Sequence, residues 1–271
     1  MTAKADSERF QSGADQYAAY LETPEGRLRA DLAFANLQDF LGPAKDSLRA
    51  LDLGCGTGAT AIRLAQLGIH VALLDSSPAM MEFAKRAARE AGVTDKVVLQ
   101  HGDAAELADL FPPRSFDVIL CHNILEYCDD AAAVLRATAR VLRDSSAILS
   151  VLVRNQAGEV FKAAIQAGDL AAAENGLTSE WGRESLYGGR VRLFTLDSAR
   201  AMLKEASLTP IAERGVRVLA DYLPPQVSRS TDYEQIFRLE RKLGGRSEYA
   251  AVSRYTQCLA RSADSVAKDG A

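Results

Sequence analysis

The stretch Leu51-Asp52-Leu53-Gly54-Cys55-Gly56-Thr57-Gly58 sets a carboxylate two residues ahead of a glycine-rich turn. An apolar run from Leu48 to Leu53 feeds the turn, and a helical pattern follows from Ala59 to Leu67. Strand, glycine turn and helix N-terminus in that order make a ligand site. Glycines let the backbone approach, while free N–H groups and the helix dipole favour negative charge. Asp52 narrows the ligand: its carboxylate repels a pyrophosphate and suits hydroxyl or ammonium groups. Two more acids follow the next two apolar runs, in Asp75-Ser76-Ser77-Pro78-Ala79-Met80 and in Gly102-Asp103-Ala104-Ala105. Each alone also reads as a helix N-cap. His122 follows a fourth run, where an imidazole of ordinary pKa suits a general base at neutral pH. Glu126 would orient it if that segment turns helical. Gly54 to Ala59 also fits the dinucleotide fingerprint, with Asp75 about twenty residues on.

These residues require an alternating scaffold. Glu25–Leu41 reads as an N-terminal helix stopped by Gly42-Pro43. Strands are expected at 48–53, 69–74, 96–101, 116–121 and 147–153. Helices are expected between them at 57–67, 77–91, 103–110 and 129–142. Continuous apolar strands separated by helices imply a parallel sheet covered on both faces. The pattern lapses over 155–193, which reads as an inserted cap. Helix 196–206, strand 209–219, helix 233–243 and a closing strand 249–261 complete the chain. Residues 1–24 are polar and expected to be flexible, as is the tail from 263 to 271. The domain proper is therefore 25–262.

Of the 271 residues, 48% are apolar and 25% charged, and the net charge is −4. That is a soluble globular composition, with no support for a wholesale nucleic-acid binder. Four cysteines without a C-x-x-C pair and three histidines argue against zinc. The apolar run 147–153 is too short for a bilayer, and no secretory leader is legible. A reducing cytoplasm is the expected home. The sequence does not reveal an oligomeric state.

Leu51–Gly58 closely resembles the first motif of class I S-adenosylmethionine-dependent methyltransferases. Asp75–Met80 resembles the second motif, whose acid bonds the ribose hydroxyls, and Gly102-Asp103-Ala104 the third, which meets the adenine. Three motifs on three successive strand ends favour this donor over a nicotinamide cofactor. The fold implied is Rossmann-like α/β: seven strands, mostly parallel, one antiparallel, with an inserted cap. S-adenosyl-L-methionine is the implied cofactor.

From about residue 25 to 260 the chain further resembles the tRNA 5-carboxymethoxyuridine methyltransferase family. The matching pieces are Gly26-Arg27-Leu28-Arg29, His122 to Tyr127, Gly215 to Leu223, Leu239-Glu240 and Arg254-Tyr255. The resemblance implies that Arg29 holds the carboxylate of the donor's methionine part. It gives Gly54 and Cys55 backbone contacts to the donor and Asp75 the ribose. Ala104 and Ala105 would flank the adenine, and His122 would line the pocket. Asp52, Gly56, Ser76, Met80 and Asp103 complete the expected cofactor site, and His122 is the candidate catalytic residue.

The implied acceptor is a carboxylate on a modified tRNA wobble uridine. The family's cap is lysine-rich, whereas residues 155–194 here hold four bases and five acids. Arg183, Arg190, Arg192, Trp181 and Tyr187 could stack on one base and grip its carboxylate. They could equally bind a small aromatic acid, so a small-molecule O- or N-methyltransferase is the first alternative. A nicotinamide oxidoreductase or a non-catalytic donor-binding protein is the alternative from another class.

Overall fold

A computed structural model describes residues 9–43, 46–184, 186, 188–224 and 232–263. Helices α1 (Ala14–Glu22) and α2 (Pro24–Gln38) precede the sheet. Thr23 separates them, and its hydroxyl accepts from Gly26 N to cap α2. The core then alternates β1 (Arg49–Leu53), α3 (Ala59–Gln66), β2 (His70–Asp75), α4 (Pro78–Glu90) and β3 (Val97–His101). It continues with α5 (Leu107–Leu110), β4 (Val118–His122), α6 (Ala131–Val141) and β5 (Ile148–Arg154).

The sheet order is β3-β2-β1-β4-β5-β9-β8. Strands β1 to β5 pair in parallel, and β9 (Tyr255–Ser262) runs antiparallel between β5 and β8 (Leu208–Val216). Period-two alternation with both faces covered explains why the central strands β1, β4 and β5 are mostly apolar. Leu51, Leu53, Ile119, Cys121, Leu149 and Val151 pack into one core, with α6. Ala50, Val71, Leu73, Val118, Leu120 and Ile148 pack into the other, with α3 and α4. Both faces are covered by helices, and the polar side chains buried there, such as Ser150 and Gln257, are hydrogen-bonded to each other.

The region 155–193 carries α7 (Gln156–Phe161), a π turn (Lys162–Gln166), α8 (Leu170–Gly176) and a separate hairpin. The hairpin is β6 (Trp181–Arg183) with β7 (Arg190–Arg192). Helices α9 (Leu196–Glu205), α10 (Tyr233–Gly244) and α11 (Ser247–Ala250) flank the last two strands.

Two expectations need correction. Residues 14–22, read as flexible, form α1, which packs on α2 and α4. Residues 249–254 were expected in the closing strand but belong to α11 and the turn after it. A methyl at Gly158 would meet Ser253 O at 2.5 Å, so the cap's first helix packs directly on that turn. Residues 1–8 and 264–271 lie outside the described residues.

Candidate active site

The chain runs outward from β1 to β2 and β3, then returns to place β4 on the other side of β1. The crevice at that reversal is where doubly wound sheets bind ligands. A cavity of about 520 Å³ opens there. Gly54, Gly56, Asp75, Ser76, Met80, Asp103, Ala104, Ala105, Arg29 and His122 all line it. Asp52 and Cys55 instead line a smaller adjoining cavity of about 40 Å³, which Arg29, Gly54 and His122 share. Every expected cofactor residue therefore borders one of two connected spaces.

The glycine turn works differently from an anion cradle. Gly54 and Gly56 take φ of 68° and 54°, left-handed values that suit glycine. Their N–H groups already have partners: Gly54 N and Cys55 N donate to Leu74 O, and Gly56 N donates to Asp75 Oδ2 at 2.8 Å. The N–H groups of Gly54, Cys55 and Gly56 are thus used within the protein, Gly56 N by the carboxylate of Asp75.

Asp75 is not a helix cap; that task falls to Ser77, whose hydroxyl accepts from Met80 N. Ser77 N and Gly56 N each donate to one Asp75 carboxylate oxygen, leaving further lone pairs for a ligand. Asp103 does cap, accepting from Ala105 N at 2.8 Å, while still bordering the cavity. Burial raises the Asp75 pKa. Burial, with Asp75 nearby, raises Asp52 to about 7. A cationic ligand group relieves both.

Arg29 is 7% exposed and has no carboxylate partner among the described residues. It donates to Tyr17 Oη at 3.0 Å and lies against the rings of Tyr17, Tyr20 and Tyr255. A buried guanidinium with only phenols around it is a ready partner for an incoming carboxylate. An unpaired cation at one end and elevated acids beyond it fit an amino acid-like moiety carrying both charges.

His122 departs from expectation. Its Nε2 is 2.8 Å from Ser150 Oγ. That hydroxyl accepts from Gln257 Nε2, and Gln257 Oε1 accepts from Asn36 Nδ2. Burial and then the Arg29 charge lower the ring's pKa to about 3. The imidazole is therefore held neutral and is a poor proton acceptor near pH 7, contrary to the role of general base. Glu126 does not orient it. The Glu126 carboxylate accepts from Asn123 Nδ2 and Arg154 N, both at 2.9 Å.

The structure adds wall residues that the sequence reading missed. Phe10 and Tyr17 come from the N-terminal segment and α1, and Tyr127, Arg154, Glu184 and Leu186 from the acceptor side. Phe10, Ala14, Tyr17 and Leu21 recur at helical spacing, a signal present in the sequence. Arg154 is buried and paired with Glu184, and with Glu159 at 3.3 Å; Tyr127 Oη donates to Glu184. The C-terminal pieces of the family resemblance prove structural. Glu240 accepts from the N–H groups of Val218, Leu219 and Ala220, and Arg217 pairs with Asp221.

Residues 44–189 match the family described as methyltransferase domain. The chain is 32% identical over 244 residues to the tRNA 5-carboxymethoxyuridine methyltransferase of Escherichia coli (strain K12), covering 88% of this chain and 90% of that one. It is also 32% identical over 219 residues to the 27-O-demethylrifamycin SV methyltransferase of Amycolatopsis mediterranei (strain S699), covering 80% and 71%. The solved structure of an S-adenosylmethionine-dependent methyltransferase from Thermotoga maritima superposes with a TM-score of 0.63 at 15% identity, covering 94% and 98%. With its strand order, its crevice at the sheet reversal and the match over residues 44–189, the chain belongs to the class I S-adenosylmethionine-dependent methyltransferases.

Proposed function

We propose that this methyltransferase esterifies a carboxylate, and that the carboxylate is borne by a modified uridine at the wobble position of a tRNA. The carboxylate is suggested by the E. coli relative, and His122, hydrogen-bonded to Ser150 at 2.8 Å rather than left as an open base, is consistent with an acceptor that needs no deprotonation. Hydroxyl and ammonium acceptors must lose a proton to become nucleophiles; a carboxylate is one already. S-adenosylmethionine supplies a methyl group activated by its sulfonium, so alignment and exclusion of water account for much of the rate. The new bond joins a carboxylate oxygen to the methyl carbon, the carbon–sulfur bond breaks toward sulfur, and no proton moves. Arg154 also lines the cavity, where it is paired with Glu184 and Glu159. The E. coli relative supplies the tRNA part of the reading, and such an acceptor places the enzyme in the cytoplasm. The rifamycin relative favours the second reading, a small-molecule O-methyltransferase.

On the donor side, Arg29 holds the methionine carboxylate, Asp52 faces its ammonium group, Asp75 holds the ribose and Ala104 and Ala105 flank the adenine. Replacing Asp75 with alanine should weaken S-adenosylhomocysteine binding by about 1–3 kcal/mol, roughly 5- to 150-fold, through lost charged hydrogen bonds. Calorimetry that finds equal affinities refutes the ribose role.

The acceptor is tested with tRNA from a strain lacking its own wobble-ester methyltransferase. Incubation with enzyme and S-adenosylmethionine should convert the carboxylate nucleoside to its methyl ester, read by nucleoside mass spectrometry. With S-adenosylmethionine saturating, the single-turnover rate should be flat from about pH 6 to 9, since an acceptor carboxylate is already ionised there. No ester, with methylation of a small-molecule acid instead, hands the case to the second reading.

A further inference from the structure

We propose that the outward face of the β6–β7 hairpin is a contact site for single-stranded RNA, with Trp181 stacking on a base and Arg183, Arg190 and Arg192 meeting phosphates. The inference rests on the tRNA reading above and deepens it. The register pairs Trp181 with Arg192 and Arg183 with Arg190, so strand alternation puts all four side chains on one face. Gly182 and Val191 form the other face. Val191 is fully buried, and a methyl at Gly182 would touch Leu193 Cδ2 at 3.1 Å. The hairpin is thus clamped to the body by one face and presents Trp181, Arg183 and Arg190 on the other, with Arg192 half-buried against the Phe194 ring.

Trp181 is 46% exposed, unusual for the chain's sole tryptophan. The Arg190 guanidinium lies 4.2 Å from its ring centroid. That stack covers one side of the indole and leaves a rigid aromatic platform, the feature by which proteins hold unpaired bases. None of the three arginines forms an ion pair among the described residues; Tyr187 lies outside them.

The cap's overall acidity conceals this face. Glu184 is bound to Arg154, and Glu159 to Arg154 and Arg254, inside the protein. Asp169 and Glu174 belong to α8, and Asp169 caps it; Glu180, exposed directly before Trp181, is the cap acid that adjoins this face. Position completes the case. The same hairpin carries Glu184 and Leu186 into the cavity wall, and Arg9 Nη1 donates to Gly188 O in its turn. The four side chains thus sit on the same short hairpin whose turn residues Glu184 and Leu186 reach the cavity wall.

The test measures fluorescence anisotropy with a labelled oligouridine dodecamer and a tRNA transcript. The variant R183A/R190A/R192A is compared with K85A/R86A/R89A, which removes the same charge from exposed positions of α4. The hairpin variant should bind both RNAs at least about 10-fold more weakly, with a salt slope shallower by about 2, as expected for three contacts to a single strand. Trp181→Ala should cost about 5-fold or more with the salt slope unchanged. S-adenosylhomocysteine affinity within about 2-fold of the parent verifies the fold of each variant.

Equal weakening by the two triple variants, or an unchanged slope, overturns the proposal. So does loss of a dimer on hairpin mutation, which would make the face a self-association surface. Hairpin-dependent RNA binding without ester formation leaves the surface standing and removes the wobble-uridine reading. Ester formation with an unaltered tRNA KM in the hairpin variant does the reverse.

Discussion

Arg29→Met is expected to weaken S-adenosylhomocysteine binding by about 30-fold or more while leaving the Tm of the ligand-free protein unchanged or higher. The two effects separate because Arg29 has no carboxylate partner among the described residues. In the free enzyme the guanidinium is desolvated and compensated only by one phenol hydrogen bond and the faces of three tyrosines. Burying a charge on those terms costs stability, and an apolar side chain of similar length relieves it. In the complex the same charge meets the donor's carboxylate. Removing one partner of a buried pair costs about 2–5 kcal/mol, which sets the affinity loss. Calorimetry supplies the affinity and a thermal melt without ligand supplies the Tm. A collapsed Tm with retained affinity would make Arg29 a structural residue and leave the carboxylate without its assigned partner.

Arg29 also shows where sequence reasoning stops. Read from spacing alone it is an ordinary helix arginine; only the family resemblance marked it. Its burial depends on α1, whose Tyr17 and Tyr20 close over it, and on Tyr255 at the far end of the chain. The strands β1 to β5 were legible because each is a local apolar run bounded by turn residues, and parallel packing makes such runs unambiguous. The acids at the strand ends were legible for the same reason: position along a strand fixes which end of the sheet a residue occupies. What local pattern cannot carry is pairing across the chain. His122 meets Ser150, 28 residues on, and through it Gln257 and Asn36. Those contacts fix the ring in place, while burial and the Arg29 charge lower its pKa. Arg154 stood at the end of an apolar strand with no visible reason to be there. Glu184, thirty residues later in the cap, supplies it.

The buried histidine and the buried aspartate make opposed contributions to stability as the solution is acidified, and single substitutions should expose each. His122 titrates near 6.5 when unfolded and near 3 when folded. Its share of stability is intact above pH 6.5 and lost as pH falls toward 3, because the unfolded chain takes the proton first. Between pH 7 and 4.5 that loss is about 3 kcal/mol, two pKa units' worth. Asp52 runs the other way. Its pKa is 3.8 unfolded and about 7 folded, so the folded chain takes the proton first. Stability from this group is full below 3.8 and disappears as pH rises through 7, so acidification to 4.5 gains about 3 kcal/mol. The two nearly cancel in the parent. His122→Gln should therefore gain about 3 kcal/mol relative to the parent on going from pH 7 to 4.5, and Asp52→Asn should lose about as much. Urea unfolding of the ligand-free proteins at the two pH values reads both, and comparing pH differences removes the other titrating groups from the result. A His122→Gln variant that tracks the parent would mean the ring protonates freely in the folded state. Such a ring is a competent base, and the case for an acceptor that needs none would fall with it.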